Sequence, residues 1–104
     1  MPEPTVNVNI STDNVTIIAT PPGLFSFIRV WGYELLPAGP TNLSLEDTTG
    51  TNWVGPMSCD EGGGLVKNVG DGPAFDLPKG TGLVIGNSGA VQVGGSIQYQ
   101  IVMK

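Results

Sequence analysis

The chain reads as all-β: a single-domain antiparallel β-sandwich, jelly-roll-like, of about eight short strands. Three observations predict this. Apolar and polar residues alternate with period two in several short runs, the signature of half-buried strands. The 16 glycines and 9 prolines of the 104 residues fall mostly between those runs, as turn punctuation does. No segment carries a helical period, and no repeat, linker or charge run divides residues 1–104.

The elements follow in order. Val6, Val8 and Ile10 alternate with Asn7 and Asn9 and predict a first strand. Val15, Ile17 and Ala19 predict a second, which Pro21-Pro22-Gly23 ends, since proline cannot donate to a ladder. Together residues 1–20 form an edge or contact element. Leu24 to Leu36 (LFSFIRVWGYELL) is long enough for a helix, but its aromatic and β-branched residues favour a strand. One register buries Phe25, Phe27, Trp31 and Tyr33; the other buries Leu24, Ile28, Val30 and Leu36. Arg29 falls in the first set, so Ile28 and Val30 are expected inside, with the aromatic set on a second face suited to contact between subunits. Leu43 and Leu45 predict a short strand, DTTGTN a turn, and Trp53-Val54 a strand broken at Gly55-Pro56. Leu65-Val66 and Leu83 to Ile85 predict two more. Gly94-Gly95 reads as a corner before the alternation of Ile97, Tyr99, Ile101 and Met103.

Composition narrows the chemistry. There is no histidine, which removes Ser-His-Asp and Cys-His catalysis, His-ligated metals and an imidazole proton shuttle. The one cysteine, Cys59, has no partner for an internal disulfide. It reads as a small buried hydrophobe, since no base activates it. Nine acidic against four basic residues leave a net charge of −5, which disfavours nucleic acid or an anionic membrane as partner. The start MPEPTVNVNI lacks the cationic and apolar regions of a signal peptide, and no apolar run approaches the ~20 residues of a membrane span. Synthesis in a reducing cytoplasm is the expectation.

Each candidate site has a plainer reading. Glu46-Asp47 and Asp60-Glu61 are neighbours in sequence, so on a strand they point to opposite faces and make no glycosidase-type pair. Asp60-Glu61-Gly62 and Asp71-Gly72 lack the ligand spacing of a calcium loop. Gly62-Gly63-Gly64 and Gly80-Thr81-Gly82 lack the Lys-Ser/Thr of a phosphate loop. No catalytic, cofactor-binding or metal residue is assigned. Trp31, Trp53, Tyr33, Tyr99 and Phe25 are candidates for a sugar-stacking platform or a protein interface, with core packing the alternative for each.

A set of motifs remains: the strand IRVWGYEL, then TGTNWVGPMS with a Gly-rich loop, then GPAFDLPKGTGLVIGNSGAVQVGGSIQYQIV. Over about residues 26–104 this resembles small all-β structural proteins of tailed bacteriophages and prophages, with Val91-Gln92-Val93-Gly94-Gly95 its best part. The resemblance implies a non-enzymatic virion protein, a capsid decoration (cement) protein that binds the outer surface of the head and reinforces the shell. Its implied partners are the major capsid protein and itself, as a homotrimer, made in the bacterial host cytoplasm and placed on the capsid surface. It implies no cofactor. The interface candidates are Val6, Val8, Phe25, Trp31, Tyr33 and Trp53, with the first strand, free of lysine and with no proline past Pro4, as the leading contact. The alternative is a carbohydrate- or receptor-binding module of a tail fibre or other tail protein.

Overall fold

Strands form largely where the alternation placed them, and the turns between them carry most of the glycines and prolines. The computed structural model describes residues 4–21, 23 and 25–103; Pro22 and Leu24, part of the second turn and of the long apolar run, lie outside the described residues. In order come β1 (Thr5–Ile10), β2 (Val15–Ile18), β3 (Phe27–Pro37), β4 (Thr41–Asp47) and β5 (Asn52–Cys59). β6 (Leu65–Lys67), a 3-10 turn (Val69–Asp71), β7 (Phe75–Asp76), β8 (Leu83–Asn87) and β9 (Val93–Val102) follow.

Two antiparallel sheets result. The first has the order β1-β9-β3-β6, with β7 also on β3; the second has β2-β8-β4-β5. Four of the pairings are nested: β1 with β9, β2 with β8, β3 with β6 and β4 with β5. The chain is therefore one long antiparallel ribbon rolled up, and the pairs β3·β9 and β4·β8 join the roll into two sheets. This is a jelly roll, with the two-residue β7 as an addition. Between the sheets lie Val8, Ile28, Val30, Leu35, Val93 and Ile97 from the first, and Ile18, Leu43, Leu45, Leu83 and Ile85 from the second.

Three details depart from the expected pattern. β3 carries a bulge at Trp31: Val30 faces Tyr99 but Gly32 faces Gln98. An extra residue on one strand reverses the in-out parity beyond it. Ile28 and Val30 are fully buried as expected, but past the bulge Leu35 is buried and Leu36 is 41% exposed. Second, β5 runs straight through Gly55-Pro56. It is an edge strand with an irregular register, and an edge tolerates the missing N–H of proline. Third, Gly94-Gly95 lies inside β9 and is no corner. Gly95 sits between Val8 and Leu35 with φ +143°, and a Cβ there would collide with the carbonyl of Glu34. The glycine lets three backbones meet.

Candidate functional site

The two ends of the roll are held by buried polar side chains. At one end Asn87, fully buried on β8, donates from Nδ2 to the carbonyls of Val91 (2.7 Å) and Thr12 (3.4 Å). Its Oδ1 accepts from Thr41 Oγ1 at 2.6 Å, and its own N–H donates to Asp13 Oδ1 at 2.7 Å. One amide thus ties the β1–β2 and β8–β9 loops to β4. At the other end Asp47 closes the β4–β5 turn. Its Oδ1 accepts from the Thr49 N–H (2.8 Å), Thr49 Oγ1 (2.5 Å) and the Thr51 N–H (3.3 Å), and its Oδ2 from Trp53 Nε1 (3.0 Å). Burial pushes this carboxyl up, but the hydrogen bonds from Thr49, Trp53 and Thr51 outweigh it and hold the pKa at about 2.

The six interface candidates do not converge. Val6 is half-buried and Val8 is a core residue at 4% exposure, so β1 offers a partner its backbone and outward side chains, not Val8. Trp31 lies on the outer side of the first sheet, where its Nε1 donates to Gln100 Oε1 at 3.1 Å. Beyond the bulge Tyr33 packs against the core, and burial raises its hydroxyl pKa. Trp53, 40% exposed, spans the gap between the sheets. It stacks on Phe75 of β7, ring centroids 6.0 Å apart and planes inclined by 12°. Phe25 is 56% exposed, with the Lys79 ammonium 5.2 Å from its ring. Its neighbour Ser26 meets the Met103 sulfur through its hydroxyl (3.7 Å), which ties the start of β3 to the end of β9. Phe25, Met103 and the part-exposed Ile101 thus concentrate apolar surface at one end of that sheet.

The acidic residues are also dispersed. Asp76 forms a two-pronged ion pair with Arg29 (2.8 and 3.2 Å), Glu46 accepts from Ser44 Oγ (2.8 Å), and Glu34, Asp60 and Glu61 are exposed. The side chain of Asp71 lies outside the described residues. Among the described residues, no three acidic or thiol groups converge as a metal would require. Cys59 is half-buried, its thiol 3.5 Å from the carbonyl of Met57.

Two features lie outside the candidates that the sequence singled out. Lys67 turns its ammonium onto the carbonyls of Gly72 (2.6 Å), Asn68 (3.0 Å) and Trp31 (3.4 Å), clasping the 3-10 turn to the bulge. On the outer face of the second sheet, a polar groove of about 220 Å³ is lined by Asp13, Asn14, Asn42, Ser44, Glu46 and Asn52 among others. Gly86 forms part of its floor, because a Cβ there would strike Ser44 Oγ and Glu46 Oε2. The signal was present: polar residues at alternate positions of β4 and a glycine in a strand interior. Among the described residues, no aromatic side chain lines the groove. The chain matches no protein-family model, no curated protein and no solved structure.

Proposed function

We propose that the protein is a non-enzymatic structural component of a phage virion, a capsid decoration protein that binds the major capsid protein and copies of itself. The observation that carries this reading is the complete jelly-roll topology, β1-β9-β3-β6 over β2-β8-β4-β5, in a chain whose motifs resemble phage structural proteins. Viral capsid proteins use this architecture, although a fold alone does not assign a function. The contact with the shell is made by the apolar end at Phe25, Ile101 and Met103, since aromatic residues and methionine are enriched in interfaces.

The test is binding of purified protein to capsids that lack it, followed by cryo-electron microscopy. The expected result is density on the head and loss of binding by the double variant Phe25→Asp, Met103→Asp. Density on a tail or fibre alone overturns the placement. The polar groove supports a second reading, a glycan-binding module of a tail protein, because its convergent amides and carboxylates suit sugar hydroxyls. Asn42→Lys separates the two. It leaves capsid binding unchanged under the first reading and abolishes glycan binding under the second.

A further inference from the structure

Among the described residues the two sheets leave four edges, and three are closed to regular pairing. β2 has four residues and an irregular register. β5 carries Pro56 and two register shifts. The free side of β3 is taken up by three-residue β6 and two-residue β7. Short, bulged and proline-bearing edges are how native sheets avoid unwanted partners. β1 has none of these devices. It runs six residues (TVNVNI) in unbroken register on β9, without proline, lysine or any charge.

The ladder also fixes which backbone groups are free. In an antiparallel pair, the N–H and C=O of a residue point the same way and alternate residues point opposite ways. Tyr99 N–H donates to the Pro4 carbonyl at 3.0 Å, and the register places Val6, Val8 and Ile10 opposite Ile97, Gly95 and Val93. Val6, Val8 and Ile10 therefore direct their backbone groups to β9. Thr5, Asn7 and Asn9 direct theirs to the open side, and all three side chains are exposed.

We propose that this edge pairs with β1 of a second copy of the chain, antiparallel about a two-fold axis through Asn7. That register uses every free backbone group on the edge: Asn7 faces its counterpart, Thr5 faces Asn9, and each facing pair exchanges two backbone hydrogen bonds. Between them Val6 faces Val8, so apolar stays opposite apolar and polar opposite polar. A two-fold contact requires such a self-complementary patch. The strand's neutrality matters as well, because each chain carries a net charge of −5 and a charged edge would set like charges face to face. A three-fold ring built through strand edges would need β1 to meet a different edge, and every other edge is blunted. The pair is a dimer, in place of the trimer that the resemblance implies, and it holds wherever in a virion the protein sits.

Sedimentation equilibrium of the isolated chain tests this, with a dimer expected by high micromolar concentration. Asn7→Pro removes an N–H that faces the open side and plays no part in the ladder to β9, and proline is tolerated at such an edge. The variant is expected to keep the wild-type circular dichroism and melting profile. Its self-association weakens about ten- to thirtyfold, two lost neutral hydrogen bonds across the axis. Should it fail to fold, Asn7→Cys with Cys59→Ser carries the test. Facing residues of a hydrogen-bonded pair have Cα atoms about 5.5 Å apart, within disulfide reach, so mild oxidation gives a covalent dimer. Asn42→Cys in the same background, on the other sheet, gives none. A monomer, a trimer, a dimer indifferent to Asn7→Pro, or equal cross-linking through position 42 overturns the proposal. None of these results bears on whether Phe25 and Met103 bind a capsid, so the two readings fail separately.

Discussion

Asp47 shows how much one side chain contributes to this fold. The run DTTGTN announces a turn, because Asp, Thr and Gly satisfy or relax the backbone there. Nothing in the run says that the aspartate itself is buried, at 2% exposure, beneath an indole six residues on. Removing the carboxylate leaves the N–H groups of Thr49 and Thr51 and the Trp53 indole without their acceptor. Asp47→Ala is expected to cost about 2–3 kcal/mol in urea unfolding, the usual loss when buried donors are orphaned. The pH dependence has a definite sign. The folded pKa of about 2 lies below the ordinary 3.8, so this stabilisation is fully present above about pH 4 and is lost as pH falls towards 2. Unfolding midpoints at pH 6, 4 and 2.5 should drop for the wild type, and Asp47→Asn should remove that part of the acid dependence. An equally steep acid limb in Asp47→Asn would assign the effect to other groups.

Among the elements, β3 separates what alternation reveals from what it hides. Arg29 made the preference for Ile28 and Val30 inside correct, because a guanidinium belongs at the surface and here pairs with Asp76. The same alternation carried on to Leu36 fails, since the bulge at Trp31 is a tertiary feature: one extra residue facing β9, beside a turn clasped by Lys67. Gly32 is its nearest trace in the sequence. A Cβ at that position would lie 2.8 Å from Val69 Cγ2 and 2.9 Å from the Lys67 carbonyl. Gly55-Pro56 and Gly94-Gly95 misled for a related reason. Both look like breaks, yet an edge strand accepts a proline and a crowded strand crossing demands a glycine. The parity reversal is open to direct measurement. Leu35→Ala should destabilise by about 2–5 kcal/mol, as a fully buried leucine does, whereas Leu36→Ala should change stability by less than about 1 kcal/mol. Equal costs at the two positions would remove the bulge from the account. The candidate site was less legible than the fold, because strand alternation shows which residues face out but not which of them end up adjacent. Trp31 and Trp53, both flagged as contacts, finish on different parts of the sandwich.

For the whole molecule, the nested ribbon sets the order in which contacts become affordable. β4 and β5 are joined by a tight turn, whereas β1 must find β9 from the far end of the chain, with Thr5 opposite Gln98. Closing a long loop costs entropy before its contacts return anything, so topologies rich in distant pairings fold slowly, in milliseconds to seconds. The β4–β5 hairpin, with the Asp47 turn and Leu45 on its inner face, is therefore expected to nucleate folding, and β1 to dock last. This divides mutational effects between the two rates. Leu45→Ala should slow refolding, with most of its stability loss in the folding limb, while Val8→Ala should leave refolding nearly unchanged and speed unfolding. Trp53 sits at the hairpin and stacks on Phe75 of β7, so in a Trp31→Phe background its fluorescence in a stopped-flow chevron follows the packing of the hairpin. If Val8→Ala slowed refolding as much as Leu45→Ala, the terminal strands would already be paired at the transition state, and the roll would close from its ends inward.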